Sequence, residues 1–165
     1  MIYGRSGTGK STAIERILNA LNEPVYGFRT KKYSPDENGV SEVYLHDCRT
    51  EPEQSRENRI GLAYAHGAES APEVFETAGI TALSDIPEGS LVLLDELGFM
   101  ENDAPEFQKK VLCLLDGNYR VIAAVKQIAT PFLDAVRTHP KSVSADAAAA
   151  NTPEFITRAI ELLRR

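Results

Sequence analysis

Residues 4–12 read Gly4-Arg5-Ser6-Gly7-Thr8-Gly9-Lys10-Ser11-Thr12. Glycine loses more backbone freedom on folding than any other residue, so three of them within six positions point to a backbone shape that side chains would obstruct. The run Gly4–Ser11 fits GxxxxGK[ST], and it stands where that pattern must stand, after the short apolar run Met1-Ile2-Tyr3 and at the start of a helically patterned segment. In such a loop successive backbone N–H groups turn inward onto phosphate oxygens. The following helix presents the positive end of its dipole, and glycine allows the close approach. Gly4, Arg5, Ser6, Gly7, Thr8 and Gly9 are therefore expected to form the cradle. Lys10 is expected to reach the β- and γ-phosphates, Ser11 to give its hydroxyl to Mg²⁺, and Thr12 to add a phosphate contact.

Outward from this loop the chain alternates between strand and helix signals. Lys10–Leu21 places Ile14, Ile17, Leu18 and Leu21 on one helical face. The β-rich runs 25–33 and 40–48 flank Ser34-Pro-Asp-Glu-Asn-Gly39, a set of turn formers, and predict an antiparallel hairpin. Residues 59–65 read as a further strand. Residues 71–83 read as a helix with Ser70 as its N-cap, and Leu91–Glu96 as a short buried strand. Asp103, with Glu106 three residues on and Pro105 in the first turn, predicts the start of the next helix. Residues 119–125 form an apolar strand, and Thr130-Pro131 and Thr152-Pro153 each open a helix. Ala145–Ala150 reads as a loop or a helical turn. The alternation implies an α/β fold with a mainly parallel sheet and helices on both faces.

A second constellation follows the apolar run Leu91–Leu94. Asp95 and Glu96 emerge at the C-terminal end of that strand, the edge where open α/β sheets bind ligands. Asp95 is expected to hold Mg²⁺ through its water shell. Glu96 is expected to orient and deprotonate an attacking water, a role that needs a carboxylate near the metal but not on it.

Composition narrows the partners. The 165 residues suit one domain spanning 1–165, and 42% apolar with 25% charged residues is the balance of a folded globular chain. A formal net charge of -6 and the lack of a basic patch argue against nucleic acid and acidic membranes. No apolar run approaches the roughly 20 residues of a bilayer helix, and no basic flank with a hydrophobic signal core opens the chain, so a cytoplasmic location is expected. Cys48 and Cys113 stand apart, with no CxxC, and read as structural thiols. His46, His66 and His139 are likewise scattered, and no metal site is expected among them.

The segments Gly4–Thr12, Tyr26–Tyr33, Leu91–Glu101 and Thr130–Pro140 together resemble the small nucleoside-triphosphatase family, also called cancer-related nucleoside-triphosphatases, of the additional-strand, catalytic-glutamate branch of P-loop proteins. The resemblance extends over nearly the whole chain. Its most distinctive pieces are Gly27-Phe28-Arg29-Thr30 and Asp95–Glu101, where the family carries a similar DE-x-G-x-ME segment. It implies a three-layer P-loop NTPase fold and Mg²⁺-dependent hydrolysis of ATP, GTP and other nucleoside triphosphates with little base selectivity. It also implies a strand inserted between the Asp95-Glu96 strand and the phosphate-loop strand. The chain departs from the family in a first strand with only three residues before Gly4.

Two alternatives use the same loop. A small-molecule kinase needs an acceptor pocket, which the hairpin at residues 31–40 would cover. A GTPase-like switch finds a DxxG in Asp95–Gly98, but no NKxD occurs to read guanine. Lys126, at the end of the inserted strand, reads first as a solvated strand end and second as a γ-phosphate sensor. Arg5 and Arg29 are secondary candidates for neutralising transition-state charge.

Overall fold

The apolar spacing of the chain resolves into strands and helices at nearly the expected places. A computed structural model describes residues 1–5 and 7–164, so Ser6 of the expected cradle, and Arg165, lie outside the described residues. The first strand, β1 (Ile2–Gly4), runs through the loop into α1 (Lys10–Leu21). The hairpin is β2 (Val25–Lys32) and β3 (Ser41–Asp47), followed by β4 (Arg59–Tyr64) and β5 (Gly67–Ser70). A helical segment comes next: α2 (Pro72–Val74), a π-turn at Phe75–Gly79, and α3 (Ile80–Ala82). Then come β6 (Leu91–Leu97), α4 (Pro105–Asp116), β7 (Arg120–Lys126) and α5 (Pro131–Arg137). The chain closes with β8 (Ala145–Asp146), α6 (Ala147–Ala150) and α7 (Pro153–Leu163).

Among the described residues one sheet contains all eight strands in the order β5-β4-β3-β2-β6-β7-β1-β8. The half from β2 to β8 is parallel, and the wing from β2 to β5 is antiparallel. β7 lies between β6 and β1, the inserted-strand order that the family resemblance implies. Alternate residues of β6 are buried on opposite faces, as a strand covered on both sides requires. Leu91 and Leu93 meet Ile14 and Ile17 of α1 on one face, while Val92 and Leu94 join Phe28 and Phe107 on the other. The rings of Phe28, Phe107 and Phe75 pack with centroids 5.7 and 5.1 Å apart in succession. Among the described residues no helix is long and apolar enough to cross a membrane.

Gly27 decides how closely β2 and β6 lie. Its φ is +91°, and a Cβ there would stand 2.1 Å from the carbonyl oxygen of Leu93. Only glycine allows this approach, which sets Phe28-Arg29 directly beside Leu94-Asp95 in the ladder.

Three local expectations are corrected. Ser70 does not cap a helix: it pairs with Gly61 in the β4–β5 ladder, a strand the sequence reading missed, and Ala71 precedes the first helical turn. Ala145-Asp146 is a strand beside β1 and not a loop, followed by the short turn of α6. Asp103 does not cap α4. Pro105 has no N–H to give, and the next free amides, those of Glu106 and Phe107, donate to the carboxylate of Glu76 at 3.0 and 3.1 Å. That cap is supplied from the π-turn, thirty residues upstream. By contrast, the hydroxyls of Thr130 and Thr152 accept from Leu133 N and Phe155 N as expected.

Because Glu76 does the work of a capping residue, Glu76→Ala should lower the unfolding free energy by about 1 kcal/mol, the usual cost of losing an N-cap. Glu76→Gln, which keeps an acceptor, should cost less. Urea denaturation of the two variants against the parent chain measures the difference.

Candidate functional site

The loop between β1 and α1 lies at the C-terminal ends of the parallel strands. Gly7 and Gly9 take φ of +77° and +92°, the left-handed region that glycine adopts without strain. Gly9 is also the N-cap residue of α1, so the positive end of a twelve-residue helix faces the loop. The side chain of Asn151, just past α6, donates to Gly9 O at 3.1 Å and to Ala147 O at 2.7 Å, which ties the loop to the last part of the chain.

Lys10 is 5% exposed, and its ammonium turns back over the loop. Nζ donates to Gly4 O at 3.0 Å and to Arg5 O at 2.8 Å. It also stands 3.0 Å from Glu96 Oε1, within ion-pair distance. That contact falls outside hydrogen-bond alignment, and Oε1 is buried with no hydrogen-bond partner among the described residues. A carboxylate oxygen held there without a donor is ready to accept one.

β6 brings Asp95 and Glu96 to the loop. The ladder to β7 shifts register between Asp95 and Leu97, so Glu96 is the extra residue of a bulge, and its backbone N–H donates to Thr30 Oγ1 at 3.2 Å. Asp95 is buried and faces Ser11, with Ser11 Oγ 3.5 Å from Asp95 Oδ1. Burial, with the charge of Glu96 added to it, pushes Asp95 up to about 6, while Arg29 and the Ser11 hydroxyl pull the other way. A hydroxyl and a buried carboxylate short of positive charge are hard oxygen donors of the kind Mg²⁺ takes, so Ser11 and Asp95 fit that ion. Among the described residues no three His, Cys, Asp or Glu gather into a metal cluster.

The remaining candidates fall into place around this centre. Thr12, on the first turn of α1, and Arg5, on the loop, are exposed. Thr8 Oγ1 donates to Arg5 O at 2.7 Å, inside the loop. Arg29 is beside Asp95 in the ladder, and its guanidinium pairs with Glu15 of α1. Lys126 pairs with Gly4 across β7 and β1, with Nζ 5.2 Å from the centroid of the Phe99 ring. A cavity of about 410 Å³ lies elsewhere, at the N-terminal ends of β1 and β7 beneath α7, and contains none of these residues. Thr30, Glu101 and Asn151 were not singled out from the sequence. Their roles rest on contacts made only in the fold, and two of these, Thr30–Glu96 and Asn151–Gly9, span 66 and 142 residues, so no local spacing announces them.

The sequence matches the family described as NTPase over residues 1–157. It is 24% identical to the nucleoside-triphosphatase THEP1 of Thermotoga maritima, over 99% of this chain and 94% of that protein. It is 26% identical to the protein of the same name from Thermotoga petrophila, over 84% of this chain and 77% of that one. The crystal structure of THEP1 from Aquifex aeolicus superposes with a TM-score of 0.73 at 20% identity, over 99% of this chain and 98% of that one, and shows the same fold.

The raised pKa of Asp95 has a stability consequence. A carboxyl whose folded-state pKa of about 6 lies above its ordinary 3.8 favours the fold while protonated. That contribution is complete below about 4 and is lost as pH rises through about 6. Asp95→Asn should therefore flatten this part of the pH profile and leave the nucleotide-free protein more stable than the parent at pH 8, with a smaller difference at pH 4. Denaturant midpoints across that range give the answer.

Proposed function

The chain belongs to the NTPase family, and from that premise we propose that it hydrolyses the β–γ phosphoanhydride bond of ATP, GTP and other nucleoside triphosphates, with Mg²⁺ and little base selectivity, in one domain spanning residues 1–165. The observation that carries this reading is the meeting of Lys10 and Glu96 at the loop, with Ser11 facing Asp95 alongside.

Phosphate oxygens compete with the carbonyls of Gly4 and Arg5 for Lys10 Nζ, which needs only to exchange acceptors to reach the β- and γ-phosphates. The backbone N–H groups of the loop and the amino end of α1 add fixed positive potential without reorganisation. Ser11 and Asp95 would hold Mg²⁺, which when bound supplies positive charge to the phosphate oxygens as negative charge shifts toward the leaving group. Glu96, freed from Lys10 by the incoming phosphates, orients a water in line with the γ-phosphorus and accepts its proton. The Thr30 hydroxyl on its backbone amide holds it near that water. The γ-phosphate leaves as inorganic phosphate and the nucleoside diphosphate follows.

A guanine-specific switch has less support. It would use Gly98 N–H as a γ-phosphate sensor, yet that amide donates to Glu101 Oε1 at 2.5 Å. The sequence also has no NKxD.

Two measurements test the reading. Phosphate release from ATP, GTP, CTP and UTP should require Mg²⁺ and differ by no more than about tenfold, roughly 1.4 kcal/mol in the barrier. A preference for GTP of several orders of magnitude would instead support the switch. Glu96→Gln should bind nucleotide as the parent does while turning over about 10²- to 10⁴-fold more slowly, the range for loss of a positioned base. Unchanged turnover in this variant would remove Glu96 from the chemistry.

A further inference from the structure

Glu101 is 1% exposed and carries a carboxyl group that the proposed reaction does not use. It lies in the turn between β6 and α4, among Leu97, Met100 and Ala104 of the core. Burial pushes its pKa up to about 7, so the site is an unfavourable one for a carboxylate. The group nevertheless has one well-defined task, accepting the backbone N–H of Gly98 at 2.5 Å.

That bond closes the turn two residues after Glu96. Outside it, the turn is fastened by the Glu101 backbone, whose carbonyl accepts from Ala104 N at 3.1 Å and from Gln108 Nε2 at 2.8 Å. Gln108 Nε2 also reaches Asn102 O at 2.8 Å. Within the closed turn Gly98 presents a bare Cα to Lys126. A Cβ at Gly98 would stand 2.9 Å from Lys126 Cδ, so the lysine stem lies directly across it, and the ammonium continues to Phe99. Two charged groups thus depend on this turn for their placement: Glu96 just before it and Lys126 on top of it. Lys126 in turn is the ladder partner of Gly4, where the phosphate loop begins.

We propose that Glu101 is a positioning residue for triphosphate hydrolysis, its buried carboxyl group acting through the Gly98 amide to fix the turn that sets Glu96 against Lys10 and carries the Lys126 stem across Gly98. The inference rests on the hydrolase reading above. An apolar side chain of similar volume would suit the surrounding core better and leave Gly98 N–H without its acceptor, so Glu101 has a cost in stability and a return in geometry.

The test compares Glu101→Met, Glu101→Ala and Glu101→Gln with the parent in steady-state phosphate release, in binding of a non-hydrolysable ATP analogue, and in thermal unfolding. Glu101→Gln retains an oxygen for Gly98 and should keep kcat within about threefold of the parent. Glu101→Met and Glu101→Ala should lose at least tenfold in kcat while KM and analogue affinity stay within about threefold, because the phosphate loop is untouched. Parental kcat in either apolar variant overturns the proposal, as does a loss confined to KM or a Gln variant as slow as the Met variant. Failure of both apolar variants to unfold in one cooperative transition also overturns it, in favour of a purely structural acid. A parent enzyme that releases no phosphate, or one indifferent to Glu96→Gln, overturns the hydrolase reading itself, and that result is seen independently of the Glu101 variants.

Discussion

The ammonium of Lys10 is the point on which the site depends. Three oxygens surround it, from Gly4, Arg5 and Glu96, and they belong to parts of the chain some ninety residues apart. A buried lysine needs such partners, because an unpaired charge in the interior is costly. Two partners are carbonyls of the loop itself and give the glycine-rich backbone a reason to curl when nothing is bound to it. The third comes from the end of β6 and holds that strand's acidic tip at the loop. The same charge therefore shapes the cradle and aligns the carboxylate above it, and a triphosphate would replace those partners with stronger ones.

What places Glu96 there is the sheet. β6 stands two positions from β1, with β7 between, so the tip of β6 reaches the start of α1 instead of lying against the loop strand. Ser11, the first exposed residue of that helix, then faces Asp95. On its other edge β6 is held by β2, whose approach is set by the missing side chain at Gly27. Thr30, three residues further along β2, then reaches the Glu96 amide. The distinctive Gly27-Phe28-Arg29-Thr30 run thus connects to the chemistry through the ladder.

Much of this was legible from the sequence, for identifiable reasons. The loop from Gly4 to Thr12 combines residue type, spacing and position, and α1 follows from a regular apolar face. Thr130 and Thr152 cap their helices because both cap and recipient lie within one turn. Asp103 fails by the same logic: it has the right neighbours, yet Glu76, brought in by the packing of the π-turn, satisfies the amides first. β5 and β8 escaped because four and two residues give no periodicity to read, and their assignment comes from partners across the sheet. Within the site, residues at the ends of local patterns were visible, whereas Thr30, Asn151 and Glu101 have roles defined by contacts that only the fold creates. Glu101 belongs to the Asp95–Glu101 motif, but its burial, and hence its significance, is a property of the folded turn.

The position of β1 bears on how the chain comes to be folded during synthesis. Although it precedes β2 through β8 in the chain, its neighbours in the sheet are β7 and β8, at residues 120–126 and 145–146. Until those segments leave the ribosome, the three residues of β1 have no ladder to join. The antiparallel wing and its junction with β6 can pair earlier, since β2 through β6 lie within the first 97 residues. Contacts over such separations are slow to form and come late. The curled loop, its bond to Asn151 and the ion pair with Glu96 are consequently among the last features to be completed. A ribosome-bound fragment stopped before residue 120 has every residue of the phosphate-binding motif and lacks the strands that hold it in place.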